Sequence, residues 1–439
     1  MKYLVQLSIF FIFLCHFSVK SQQTWTLKMC IDTAFKKNIS INQGQLNSRI
    51  NGINLLQSRV SVLPTLNLND SQSLNAGYSL DPYTYQYTNQ KISINNLSLN
   101  SSVTLFNGHV LLYTVKQNKL LYEAGMLDID KVKNDIMLYV LAGYMQVLMD
   151  YEAVKVAQAQ IDASNVQVEQ TKKFVQFGKL VQLNLFQIES QLATDKLAKI
   201  NADNQLQLDK LTLLQLMETP VRVDFEIEQM ELKELFPQIP MSTEAINDVS
   251  LSFLPQIKSA SLKTSAAQAG VKMAQSVGLP KLTMGGVLKT GYSSVRSDVL
   301  SNQLKNNFSQ GISFTLAVPI FNNLLSKSGV AIARVNVLKA SLDELQTKND
   351  LRKNIETVYT NQVSSGRKLV AISEQMELER RTYTDMEKKY SVGVLSATDF
   401  VIEKNNYNRV SMSLIQAKYD YVLRTKMVDF YLGKPLNLD

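Results

Sequence analysis

Reactive side chains are scarce in this chain. Its 439 residues hold 2 histidines and 2 cysteines. His16 and Cys15 lie in an apolar leader, so a processed chain keeps His109 and Cys30 alone. A metal centre built on several imidazoles, a Ser-His triad and an internal disulfide are therefore excluded. There is no nucleophile motif and no glycine-rich phosphate loop, and Asp and Glu are scattered as on solvated helix faces. Enzyme chemistry thus has little to stand on. The residues whose spacing carries information are prolines and glycines, which control backbone rather than bonds.

The leader is "YLVQLSIFFIFLCHF", Tyr3 to Phe17, preceded by Lys2 and followed by Val19 and Ser21 at −3 and −1 of a cut. It reads as a secretory signal peptide over residues 1–21, too short for a membrane anchor. Leu14 is the wrong residue type for a lipoprotein signal at Cys15. Removing Lys2 and Lys20 lowers the formal charge from +8 to +6 (8 − 2), a mild excess that needs no nucleic-acid partner. Apolar residues make up 45% and charged ones 19%, so the chain is neither disordered nor a bundle of membrane helices.

No proline occurs between Pro82 and Pro220 or between Pro319 and Pro435, which leaves two tracts free for long helices. In the first, Val132, Ile136, Val140, Gly143, Val147, Tyr151 and Val154 step by three or four, one stripe of a helix. In the second, Val335, Leu338, Leu342 and Leu345 form a short heptad stripe. The punctuation is duplicated. "LPTLNL" and "LPKLTM" place Pro64 and Pro280 216 apart (280 − 64). "TLFNG" and "PIFNN" place Phe106 and Phe321 215 apart, as are Gly178 and Gly393, and Pro220 and Pro435. Two large halves share one plan.

Each half reads as a helix of about 35 residues, the Leu-Pro-x-Leu join, two strands, a helix of about 70 residues and a return helix of about 35. The expected strands are 64–78 and 91–106, then 280–292 and 309–320. The expected long helices are 107–176 and 323–391, and the return helices 183–218 and 397–432. The first repeat is 22–220, a linker covers 221–243, and the second repeat is 244–439. Proline pushes its predecessor to extended geometry and lacks a donor, so Pro64 and Pro280 suit helix-to-strand joints, expected at one level of the sheet. Ile312, Phe314, Leu316 and Val318 alternate with Ser313, Thr315 and Ala317. Leu97, Leu99, Val103 and Leu105 share a phase that Ile92 and Ile94 do not, which predicts a bulge near Asn95-Asn96. Such alternation suits a barrel with lipid outside and water inside, or a soluble sandwich.

Four strands cannot close a barrel in lipid, where open edges leave backbone groups unpaired. Two chains would give eight strands, a barrel about filled by its own side chains, whereas three would give twelve strands with a lumen, and twelve helical columns around a tunnel roughly 28 Å wide.

The motifs "LPTLNL" with "LPKLTM", "TLFNG" with "PIFNN", "FGKLVQLNLF" with "YSVGVLSATDF", and the closing "LGKPL" resemble the TolC-like outer-membrane factors, over nearly the whole mature chain. The resemblance implies an α+β membrane protein of two tandem repeats. Its homotrimer would form a 12-stranded β-barrel continuous with a 12-column α-helical periplasmic tunnel, with residues 221–243 in an equatorial region. It implies an outer-membrane exit duct for drug efflux or type I secretion, without cofactor. The implied partners are outer-membrane lipid, a periplasmic adaptor (membrane fusion) protein and an inner-membrane RND or ABC transporter. The second reading is an exported periplasmic coiled-coil adaptor or scaffold without a barrel.

The resemblance also assigns sites. The helix-to-helix turns would contact the adaptor through Phe177, Gly178, Leu180, Val392, Gly393 and Leu395. Family members often carry Asp six residues after each tip glycine. Here Asp399 follows Gly393 at that spacing, but Asn184 follows Gly178, and Leu395 stands where some members place a polar locking residue. A pore constriction with one acidic ring from Asp399, together with Asn184 and Tyr390, is the expectation; its alternative is that Asp399 serves as an N-terminal helix charge.

Overall fold

The computed structural model describes residues 24–89, 91–220, 225–230, 237 and 241–436. The expected signal peptide and parts of the expected linker lie outside these. The elements, in chain order, are α1 (Leu27–Lys37), α2 (Ile39–Val60), β1 (Thr65–Asn75), β2 (Tyr78–Leu80), β3 (Tyr87–Asn89) and β4 (Ile92–Asn107), then α3 (Val110–Gln176), α4 (Gln182–Leu216), α5 (Thr243–Phe253) and α6 (Pro255–Ser276), and last β5 (Lys281–Ser293), α7 (Leu300–Asn306), β6 (Ser309–Ala317), α8 (Leu325–Ser391) and α9 (Ala397–Tyr431).

The duplication is visible in these bounds. α8 starts 215 residues after α3 (325 − 110), and α9 starts 215 after α4 (397 − 182). β5 starts 216 after β1 (281 − 65). The compact units are not the sequence repeats, however. One unit gathers residues 1–42, 131–253 and 350–439, and the other 43–130 and 254–349, so each draws on both halves.

The opening helix of each half is broken, where the sequence suggests one continuous helix. In the first half Asn38 caps the start of α2, its Oδ1 accepting from Ser40 N at 2.9 Å. In the second, Pro255 occupies the first turn of α6, where its missing N–H costs nothing.

The second unit carries a four-stranded antiparallel sheet in the order β1-β4-β5-β6. Pro64 and Pro280 each precede the first residue of a strand and follow a helix that ends at Val60 or Ser276. They are not level. Thr65 faces Ser102 on β4 while Lys281 faces Asn107, a five-residue stagger (107 − 102) of the kind that tilted strands require. The pairing is unbroken at Asn95-Asn96, and the irregularity falls between Thr104 and Phe106. Ile92 and Ile94 break phase for another reason. They are buried at the sheet end where Asp81, Ser293 and Gln303 are also enclosed, so the face that is polar elsewhere is covered there.

The strand-to-helix joins explain the Phe-Asn motifs. Gly108 and His109 have φ of 64° and 75°, and Asn323 and Leu324 have 53° and 63°. Two consecutive left-handed residues turn each strand into its long helix, which favours Gly or Asn at the first. At Gly108 a Cβ would also meet Ser276 O at 2.5 Å, so glycine is required twice over.

Candidate channel sheet and helix tips

The pairing register sorts the sheet residues into two faces. Leu66, Leu68, Leu97, Leu99, Val103, Met284, Leu288, Ile312, Phe314 and Leu316 share one face. The other carries Asn67, Asn69, Ser98, Asn100, Ser102, Thr104, Thr283, Lys289, Ser313 and Thr315. A soluble sandwich would bury the apolar face beneath a second sheet. Here it is bare: Leu66 and Leu68 are each 69% exposed, Phe314 66% and Ile312 76%. Only β2 and β3 form another sheet among the described residues, three residues each. β1 and β6 keep free outer edges. A bare apolar face, a polar face of small side chains and two unpaired edges are the makings of a barrel in lipid, completed by other copies. Among the described residues no helix is long and apolar enough to cross a membrane.

Two helical stripes in the same unit are also uncovered. Val335, Leu338, Leu342 and Leu345 of α8 are 53% to 66% exposed. On α2, Leu46, Ile50, Ile53 and Leu56 are 55% to 60% exposed. The α8 stripe was legible as a heptad, but no partner covers it among the described residues. By contrast, Ile136, Val140, Val147 and Tyr151 of the α3 stripe are buried, joined by Leu141, Tyr144, Met145 and Leu148.

In the first unit the two helix turns repeat one geometry. Gly178 (φ 71°) donates its N–H to Val175 O at 3.0 Å, and Lys179 N reaches back to Phe174 O at 2.8 Å. Gly393 (φ 82°) donates to Tyr390 O at 3.0 Å, and Val394 N reaches Lys389 O at 3.1 Å. This is the Schellman closure, with glycine at the left-handed position. Phe177 and Val392 are exposed beside the glycines; Leu180 and Leu395 are half-buried, Leu395 against the core below.

The turns differ in how the next helix starts. Ser396 caps α9: its Oγ accepts from Asp399 N at 3.1 Å and lies 2.7 Å from Asp399 Oδ2. The equivalent Val181 gives α4 no side-chain cap, and Asn184 is held only through its N–H to Val181 O at 3.0 Å. Asp399 is exposed and belongs to a local capping pair with Ser396, so a helix-start role is secured whatever it faces.

Tyr390 packs between the two hairpins. It is 1% exposed, its ring stacked on Phe400 with centroids 4.6 Å apart and planes 9° apart, and its hydroxyl lies 2.7 Å from Thr171 Oγ1. Val168, Leu185, Ile188 and Ala397 complete this cluster. Burial raises the phenol pKa. Tyr390 therefore holds the two hairpins together, its ring spent on packing. Sequence reasoning missed Phe400, the other half of the stack, and Thr171. It also missed an enclosed ion pair about one turn beyond Phe400, Lys404 with Asp195 at 3.0 Å.

Among the described residues no group of three or more His, Cys, Asp or Glu could hold a metal. The chain matches the family model described as outer membrane efflux protein over residues 31–218 and 249–434. It is 23% identical over 303 residues to the alkaline protease secretion protein AprF of Pseudomonas aeruginosa, covering 68% of this chain and 61% of that protein. It is 20% identical to the outer membrane protein TolC of Escherichia coli, covering 71% and 64%. The match thus spans less than two thirds of the length of these relatives. The fold is similar to the outer membrane channel CmeC of Campylobacter jejuni, with a TM-score of 0.78 at 18% identity over 93% of this chain and 85% of that one. With both halves matched, the chain belongs to the outer membrane efflux protein family.

Proposed function

We propose that the protein is the outer-membrane exit duct of a tripartite efflux pump or type I secretion system. Three copies would close the sheet into a barrel in the outer membrane and the helices into a periplasmic tunnel. The carrying observation is the four-stranded sheet with one bare apolar face, one polar face and two open edges. The uncovered stripes on α2 and α8 support a ring of copies, since two different self-surfaces that meet head to tail close by rotation. A soluble adaptor or scaffold has no use for the bare apolar sheet. The turns at Gly178 and Gly393, with Phe177 and Val392 exposed, would meet a periplasmic adaptor, which couples the duct to an inner-membrane RND or ABC transporter.

The test separates the two sheet faces. Phe314→Arg on the apolar face is expected to cost about 2–3 kcal/mol of membrane insertion. It should abolish the SDS-resistant oligomer in outer-membrane fractions. Ser313→Arg on the polar face should leave that oligomer intact and shift the ion selectivity of the pore. Equal tolerance of both would defeat the barrel reading.

Asp399 is proposed to contribute an acidic ring at the narrow end of the tunnel. Asp399→Ala is expected to lower cation over anion preference in planar bilayers by roughly two- to fivefold. Unchanged selectivity would leave Asp399 as a helix cap alone.

A further inference from the structure

Duplication creates a packing problem near the turns. α3 with α4 and α8 with α9 are near copies, equal in length at 67 and 35 residues, and their apolar stripes recur every turn. Apolar packing alone discriminates poorly between the correct seating and one displaced by a helical turn of about 5.4 Å. Something that cannot be satisfied elsewhere must fix the register.

One cluster in this region has that character. Lys404 on α9 is 2% exposed and Asp195 on α4 is 3% exposed. Lys404 Nζ donates to Asp195 Oδ2 at 3.0 Å, to Gln167 Oε1 at 3.3 Å and to Ser164 Oγ. Ser164 Oγ also donates to Asp195, and Gln191 Nε2 supplies Asp195 Oδ1 at 2.8 Å. Gln191 and Asn405 bond each other, which ties α4 to α9 again. Gln167 reaches the hydroxyl of Tyr383 on α8 at 3.3 Å. Burial draws the Lys404 amine below its usual range, and the Asp195 charge draws it back. All four long helices meet in this one network.

The network exists once per chain. The positions equivalent by 215 residues are Glu189 for Lys404 (404 − 215) and Val410 for Asp195 (195 + 215). Ser164 corresponds to Glu379 (164 + 215). So the repeat does not reproduce the pair, and a seating slipped by one turn would bury an ammonium or a carboxylate without its partner. That costs several kcal/mol per ion. We infer that the enclosed Lys404–Asp195 pair is the registry element that fixes how the α8/α9 hairpin seats on the α3/α4 hairpin at the turns. Lys404 is thus a positioning residue. On the channel reading proposed above, it also sets the aperture at the narrow end.

The double variant Lys404→Met with Asp195→Leu decides the matter. It removes both charges and keeps bulk, so it is expected to fold as stably as the native chain, whereas Lys404→Met alone leaves Asp195 unpaired and should be less stable. Spin labels at Lys179→Cys and Val394→Cys, both exposed at the turns, report the hairpin-to-hairpin distance in the full chain. Cys30 stays unlabelled, since it is fully buried with its thiol pushed up to about 12. Dilution with unlabelled chain isolates the pair within one copy. The native distribution should be single and narrow. The double variant should keep stability yet show a second population displaced by about one turn, ~5 Å, or a distribution roughly twofold wider. A native-like single distance in the stable double variant overturns the registry role. Conductance in planar bilayers is a separate readout. A native chain that conducts nothing would refute the duct, while the distance measurement would still decide the register.

Discussion

Tyr390→Ala is expected to loosen the two helix turns by about 3–5 kcal/mol, the cost of emptying an enclosed aromatic site. The ring fills space that Val168, Ile188 and Phe400 cannot close without moving long helices, so little relaxation is available. Its hydroxyl pairs with Thr171, which is fully buried and also donates to Gln167 O at 2.7 Å. Tyr390→Phe keeps the stack and loses only that contact, an effect of about 1 kcal/mol. Hydrogen exchange is the suitable measurement, because the loss is local. Amides of residues 182–192 and 397–407 should exchange roughly a hundredfold faster or more in Tyr390→Ala, with the sheet unchanged. Comparable exchange in the Ala and Phe variants would contradict the packing role.

That burial marks a limit of reading the sequence. Backbone punctuation was legible because each signal has one physical cause. Proline at 64 and 280 ends a helix and opens a strand, and glycine at 178 and 393 takes the left-handed turn position. The two-faced alternation of β4, β5 and β6 was legible too. What alternation cannot express is the identity of the neighbour. Val335 and Leu338 read as a stripe that wants a partner, yet only the structure shows that none covers it among the described residues. Ile92 and Ile94 mimic a bulge because a local covering reverses which face is dry. Tyr390 and Asp399 flank one turn, and no periodicity says that the first faces the helices and the second faces solvent. Lys404 and Asp195 are the extreme case. A lysine and an aspartate amid polar helix residues look solvated, and only the three-dimensional meeting of α3, α4 and α9 makes them a pair. Asn38 was missed for a smaller reason: an apolar stripe continues across a one-residue break in the helix.

Asp150 carries the strongest expected pH dependence. It sits on α3 at 4% exposure, takes a hydrogen bond on Oδ1 from Gln146 at 3.1 Å, and faces Asp209 on α4. Its Oδ2 has no donor. A second carboxylate facing a buried one disfavours its charged form. The nearby cation is committed elsewhere: Lys210 bonds Glu226 at 2.9 Å and covers the Tyr151 ring at 4.9 Å. Burial, with Asp209 adding to it, pushes Asp150 up to about 7 from an ordinary 3.8. Between those values the folded state holds a proton that the unfolded state has lost. Stability therefore falls as pH rises from about 4 to about 7 and levels off above, by at most about 4 kcal/mol per chain. Asp150→Asn supplies a permanent donor to Asp209 in nearly the same volume. It should remove most of this slope and leave the variant more stable than the native chain at pH 8, with the advantage shrinking toward pH 5. Denaturant midpoints at pH 5, 6, 7 and 8 measure it. Parallel pH curves for the native chain and Asp150→Asn would mean that Asp150 is not held protonated in the folded state.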